Sequence, residues 1–146
     1  MTQMPLFQPP SEWTPPEKVP DLSEAKEIAI DLETCDPNIK TIGPGWPRGD
    51  GYIAGIAIAV DGWKGYFPIR HEGGGNFDEK IVKRQVKKIM ELPCDKIFHN
   101  ASYDVGWLRW WGVEIKGKII DTLIAAPLID ENRFRYSLNE LGKDYL

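Results

Sequence analysis

The segment that most constrains the fold is Glu27-Ile28-Ala29-Ile30-Asp31-Leu32-Glu33, a short apolar run that turns acidic before it ends. Its length and branched side chains predict a buried strand. Side chains alternate across a strand, so Asp31 and Glu33 share one face. Like charges set side by side in a buried strand repel each other, and a cation between them relieves the repulsion. A hard divalent ion such as Mg²⁺ is the natural candidate. The alternative is a strand that simply runs out into acidic loop residues.

The rest of the chain alternates in the same legible way. Ile53–Val60 and Trp63–Ile69 are apolar runs joined by Asp61-Gly62, a hairpin signal. The first three strands therefore form a meander, and residues 34–52, rich in Pro and Gly around Trp46, read as loop. Asn76 stands three residues before Glu79 in a capping arrangement. Ile81, Val82, Val86, Ile89 and Met90 then mark one helical face, with Lys83, Arg84, Lys87 and Lys88 as its solvated side and Pro93 as its end. Lys96–Asn100 is a fourth strand. Ser102–Trp111 is a helix closed by Gly112, with Val105, Leu108 and Trp107 or Trp111 inward. Lys118–Asp121 is a fifth strand and Thr122–Ile129 a short helix. Ser137-Leu138-Asn139-Glu140 is a capping box that opens a last helix. A meander followed by alternating helix and strand predicts one mixed α/β sheet, antiparallel first and parallel later, with helices on its faces. That layout resembles the ribonuclease-H-like fold.

Residues 1–26 stand apart. Half of the 12 prolines fall by position 20, with no apolar periodicity, so the segment reads as a flexible, Pro-rich leader before a domain at 27–146. A net charge of −4 argues against nonspecific gripping of duplex phosphates. It leaves room for a nucleic-acid enzyme, because a metal-holding site is itself acidic and aromatic side chains hold single strands by stacking. Cys35 and Cys94 form no metal or redox spacing. There is no secretory signal and no apolar stretch of the ~20 residues needed to span a membrane. The expected localisation is cytoplasmic.

Two further elements carry chemistry. His99-Asn100-Ala101-Ser102-Tyr103-Asp104 lies where the fourth strand meets a helix, which puts Asp104 on the first turn. A plain N-cap at Asn100 or Ser102 is the alternative there. Asp121-Thr122 occupies the next such junction, where Asp121 reads as a helix cap or supporting residue rather than a metal ligand. His71 reads as a loop residue, His99 as packed or hydrogen-bonded, and Trp107, Trp110 and Trp111 as packing residues.

Taken together these elements resemble the DEDD superfamily of 3′–5′ exonucleases, in the form found as the proofreading domain of family A, polymerase-I-like DNA polymerases, including bacteriophage ones. Asp31-Leu32-Glu33 matches its first motif and Asn100-Ala101-Ser102-Tyr103-Asp104 its second; Asp121-Thr122 and Tyr136–Leu141 resemble segments that follow. The resemblance covers residues 27–146. It implies two-metal phosphodiester hydrolysis at the 3′ end of single-stranded DNA, with Mg²⁺ or Mn²⁺ held by Asp31, Glu33 and Asp104. It implies that Leu32 and Thr34 contact the terminal nucleotide and that Asn100 and Tyr103 shape the second motif. It implies a bacterial or phage-infected cell as the setting.

The third motif of that family, a Tyr or His at fixed spacing before an Asp, has no match. Asp130 and Asp144 follow Asp121 without it, and Tyr136 to Glu140 ends in Glu on the capping box. The expectation is therefore an exonuclease domain lacking its last helix, a fragment or split piece, weak or inactive alone, whose partner is a polymerase domain or a complementing C-terminal segment. The competing expectation is a degenerate domain that binds single-stranded nucleic acid or a polymerase without cleaving. A resolvase or ribonuclease H is disfavoured by the Asn-x-x-Tyr-Asp element.

Overall fold

In the first strand, β1 (Glu27–Cys35), burial alternates: Ile28, Ile30 and Leu32 are buried, while Asp31 and Glu33 are exposed. The computed structural model describes residues 14–16 and 19–146. A short helix α1 (Ile39–Ile42) and a 3₁₀ turn at Trp46–Arg48 occupy the loop after β1. β2 (Tyr52–Val60) and β3 (Trp63–Pro68) complete the meander. Then follow α2 (Glu79–Met90), β4 (Asp95–Phe98), α3 (Ala101–Trp110), β5 (Ile119–Asp121), α4 (Thr122–Ile129) and α5 (Leu138–Tyr145). The sheet order is β3-β2-β1-β4-β5, antiparallel among β1 to β3 and parallel from β1 through β4 to β5. This is the mixed α/β arrangement that the pattern predicts.

The core lies on one face of the sheet. Ile28, Ile30, Leu32, Ile56, Ile58 and Phe67 meet Val86, Met90, Trp107 and Leu108 there. Lys96 is fully buried beneath them, and its ammonium donates to the carbonyls of Leu92, Cys94 and Lys116 at 2.7, 2.8 and 3.0 Å, so a buried charge has every proton used.

Three local expectations are corrected. Asp78, not Asn76, caps α2, its carboxylate accepting from Ile81 N–H at 3.0 Å. Asn76 is drawn away by the backbone of His71, which it grips at both N–H and C=O. Ile81 is 56 % exposed, because the buried arc of α2 is satisfied by Val82, Val86, Ile89 and Met90. Packing also begins ahead of Glu27: Leu22 is buried, and Val19 and Ala25 lie against the same core. Residues 1–13 and 17–18 of the expected leader lie outside the described residues. Among the described residues, no helix is long and apolar enough to cross a membrane.

Candidate active site

The site forms where β1 outlasts its neighbour. The parallel β1–β4 ladder ends at Ala29–Ile97, whereas the β1–β2 ladder continues to Cys35–Tyr52 with a register shift between Glu33 and Thr34. A bulge of this kind re-aims the side chains after it. Thr34, on the face of β1 opposite Glu33, brings its hydroxyl to the Tyr103 hydroxyl at 2.8 Å. The Tyr103 hydroxyl in turn donates to Asp36 at 3.0 Å, and Asp36 also receives the Gly45 N–H at 2.9 Å. The second motif is thereby tied to the loop after β1. Trp46 completes that tie by packing on Gly106 of α3, where an added Cβ would fall 2.4 Å from the indole.

The turn from β4 into α3 is sharp. Asn100 sits at φ 71°, a left-handed conformation that Asn tolerates better than most residues. Asp121 holds the turn. Its carboxylate accepts from Asn100 N–H at 2.9 Å, Ala101 N–H at 2.8 Å and Leu123 N–H at 2.9 Å, closing the first turns of α3 and α4 together. Three N–H donors on one carboxylate make Asp121 a double cap.

Asp104, one turn into α3, is 3 % exposed. Burial, then the charge of Asp31, pushes its carboxyl up to about 7; the Leu32 backbone N–H opposes this and Asp121 adds to it. Asp31 is itself held above the ordinary carboxylate range by burial, with His99 opposing. The charges of two carboxylates from motifs far apart in sequence thus act on each other. Leu32 lies on the opposite face of β1, its side chain in the core with Ile28 and Ile30, so it offers the site its backbone rather than its side chain. Asn100 accepts from the Ser102 hydroxyl at 3.3 Å.

His99 is fixed as expected of a hydrogen-bonded residue. The Thr122 hydroxyl lies 3.0 Å from Phe98 C=O, to which it can donate, and 3.0 Å from His99 Nδ1, so it ties the ring to the end of β4. Above these groups an open groove of about 950 Å³ crosses the sheet, floored by Ala29, Ala57 and Ala59, walled by Trp63 and Tyr66 on one side and His99, Thr122 and Leu138 on the other.

The donor chemistry, hard oxygens whose repulsion a cation relieves, fits a divalent ion at the Asp31–Asp104 pair. The expected trio is not assembled: among the described residues, no group of three or more His, Cys, Asp and Glu side chains is arranged to hold a metal ion. Glu33 lies one step along β1, in the row of Gly55 rather than that of Ala57. Asp36 and Tyr66 have no local signal in the sequence, whereas Thr122 belongs to the Asp121-Thr122 junction.

Comparison with known proteins places these features in context. No family model matches the chain. It is 37% identical over 153 residues to a DNA-directed DNA polymerase of Pseudomonas phage M6, covering 96% of this chain and 23% of the relative. It is 26% identical over 124 residues to DNA polymerase I of Synechocystis, covering 81% of this chain and 11% of the relative. The chain thus spans under a quarter of either relative. Among solved structures, NrnC of Brucella melitensis superposes with a TM-score of 0.60 at 23% identity, over 86% of this chain and 55% of that one. NrnC has also been solved with bound Mg²⁺ and bound to pGG.

Proposed function

From the premise that this chain is a DEDD-type 3′–5′ exonuclease domain of the polymerase-I-like proteins, we propose that it hydrolyses the 3′-terminal phosphodiester of single-stranded DNA in a proofreading role. The observation that carries the reading is the meeting of Asp31 and Asp104, with Asp104 so destabilised as an anion that its carboxyl titrates near 7. A buried carboxyl raised by desolvation and by a neighbouring like charge is a mark of functional sites. Asp31, Glu33 and Asp104 would hold Mg²⁺ or Mn²⁺, which supplies a hydroxide nucleophile near neutral pH and charge neutralisation at the phosphate. Thr34, Asn100 and Tyr103 shape the edge where the terminal nucleotide lies. The small floor residues Ala57 and Ala59 leave room for the strand in the groove. The exposed side chains Ile124, Leu128 and Leu138 offer an apolar seat for a polymerase domain or a complementing C-terminal segment. The setting is the cytoplasm of a bacterial or phage-infected cell.

The absence of an assembled trio favours one second reading, a domain that binds a single strand without cutting it. The two part in one experiment: release of labelled 3′ nucleotides in Mn²⁺, from the chain alone and with the following segment of the phage M6 polymerase added. The chain alone is expected to be slow by about 10²–10⁴-fold, since the third-motif groups are missing. The added segment is expected to restore release, and Asp31→Ala to abolish it. Binding retained with no release in either arrangement establishes the second reading instead.

A further inference from the structure

We propose that Tyr66, held by His71, is a positioning residue that orients Glu33 beside Asp31; the inference rests on the exonuclease reading and deepens it. The register sets Asp31, Ala57 and Tyr66 in one cross-strand row on the open face, and Glu33 and Gly55 in the next. Neighbouring strands lie ~4.8 Å apart, so a side chain on β3 reaches β1 only by lying across β2. Tyr66 does this over the small residues Gly55 and Ala57. A Cβ at Gly55 would fall 2.1 Å from the Tyr66 hydroxyl, which puts that hydroxyl in the row that carries Glu33. Burial, then the charges of Glu33 and Asp31, push the phenol up, as expected of a hydroxyl facing both.

The hydroxyl is anchored from behind. His71 Nε2 lies 2.5 Å from it, with the rings edge to face at 5.8 Å. His71 is in turn fixed by Asn76, which accepts from its N–H at 2.7 Å and donates to its C=O at 2.8 Å. The hydroxyl and His71 Nε2 are hydrogen-bonded to each other, and the charges of Glu33 and Asp31 act on the same hydroxyl. The pair thus holds the phenol hydroxyl in the row of Glu33, and Asn76 links it to the loop before α2.

The test is single-turnover release of a labelled 3′ nucleotide in Mn²⁺, with the 146-residue chain in excess. Tyr66→Phe keeps the ring and is expected to lower the maximal rate about 10–100-fold, the usual effect of losing a group that orients a ligand. The half-saturating protein concentration and the Tm should stay at wild-type values. His71→Ala should match Tyr66→Phe, His71→Gln should recover most of the rate by restoring a hydrogen-bond partner for the phenol, and the Tyr66→Phe/His71→Ala double variant should be no slower than either single one. A wild-type maximal rate in Tyr66→Phe, with Asp31→Ala inactive, overturns this assignment alone. A Tyr66→Phe effect confined to half-saturation also overturns it, making Tyr66 a substrate contact. Release that does not depend on Asp31 overturns the exonuclease reading and this inference together.

Discussion

On the face of the sheet that carries Ile28, Ile30 and Leu32, α2 and α3 leave Met90, Trp107 and Leu108 without exposure. On the face that carries Ala29, Asp31 and Glu33, a groove of about 950 Å³ stays open. β2 shows how one strand serves both. Its residues alternate Ile56 and Ile58 toward the closed face with Gly55, Ala57 and Ala59 toward the open one. Bulk is placed where water must be excluded, and small residues where something else must fit. Stability and chemistry are thereby assigned to opposite sides of the same backbone, and substitutions on the two sides should fail in different assays.

The largest expected effect lies on the closed face. Trp107→Ala removes a fully buried indole and should cost about 3–5 kcal/mol in urea unfolding. Ala59→Ser, on the groove floor, should cost under about 0.5 kcal/mol. Comparable losses at the two positions would erase the division.

Asp104 joins the faces, since it is rooted in the closed side and charged against the open one. Its folded-state pKa of about 7 lies above its ordinary 3.8. Between those values the folded protein holds a proton that the unfolded chain has lost. Stability should therefore fall as pH rises from about 4 to 7, by at most a few kcal/mol at ~1.4 kcal/mol per pKa unit, and level off above. Urea midpoints at pH 5 and pH 8 measure the fall. Asp104→Asn should flatten it, and a slope that survives the substitution assigns it to another group.

Divalent ions sharpen the same point. At pH 8, Mn²⁺ at about 100 times its Kd should stabilise the wild type by ~2.7 kcal/mol, because only the folded state binds it. Asp31→Asn with Asp104→Asn should abolish that gain and raise the Tm of the metal-free protein. An equal Mn²⁺ gain in the double variant places the ion away from this pair.

Much of this division was legible in the sequence. The acidic turn in an apolar run marked β1 and its two faces, and strand-to-helix junctions marked Asp104 and Asp121, because those signals are local. What was hidden depends on residues that meet only in the fold. Nothing near Tyr66 in sequence indicates that Gly55 and Ala57 clear its path to Glu33. The double capping by Asp121 needs α3 and α4 to start side by side. Leu32 was placed toward the substrate through its motif, yet strand alternation puts its side chain in the core with Ile28 and Ile30.

The smallest expected effect separates two residues that look interchangeable in sequence. Asp78 caps α2, the helix that covers the closed face, and accepts from Ile81 N–H at 3.0 Å. Asn76, two positions earlier, has both its polar atoms on the backbone of His71 and so belongs to the open face through Tyr66. Removing the cap with Asp78→Ala should cost about 1 kcal/mol of stability and leave nucleotide release per folded molecule unchanged. Asn76→Ala sits in an exposed loop and should cost about 0.5 kcal/mol or less. It should nonetheless slow release, in the same direction as His71→Ala and by less, because the His71 backbone loses its clamp while the ring keeps its hydrogen bond. Urea unfolding and single-turnover release on the two variants give four numbers. If both variants lose stability and neither loses rate, the loop before α2 serves only the helix, and the boundary between the two regions lies closer to the sheet than the hydrogen bonds of Asn76 place it.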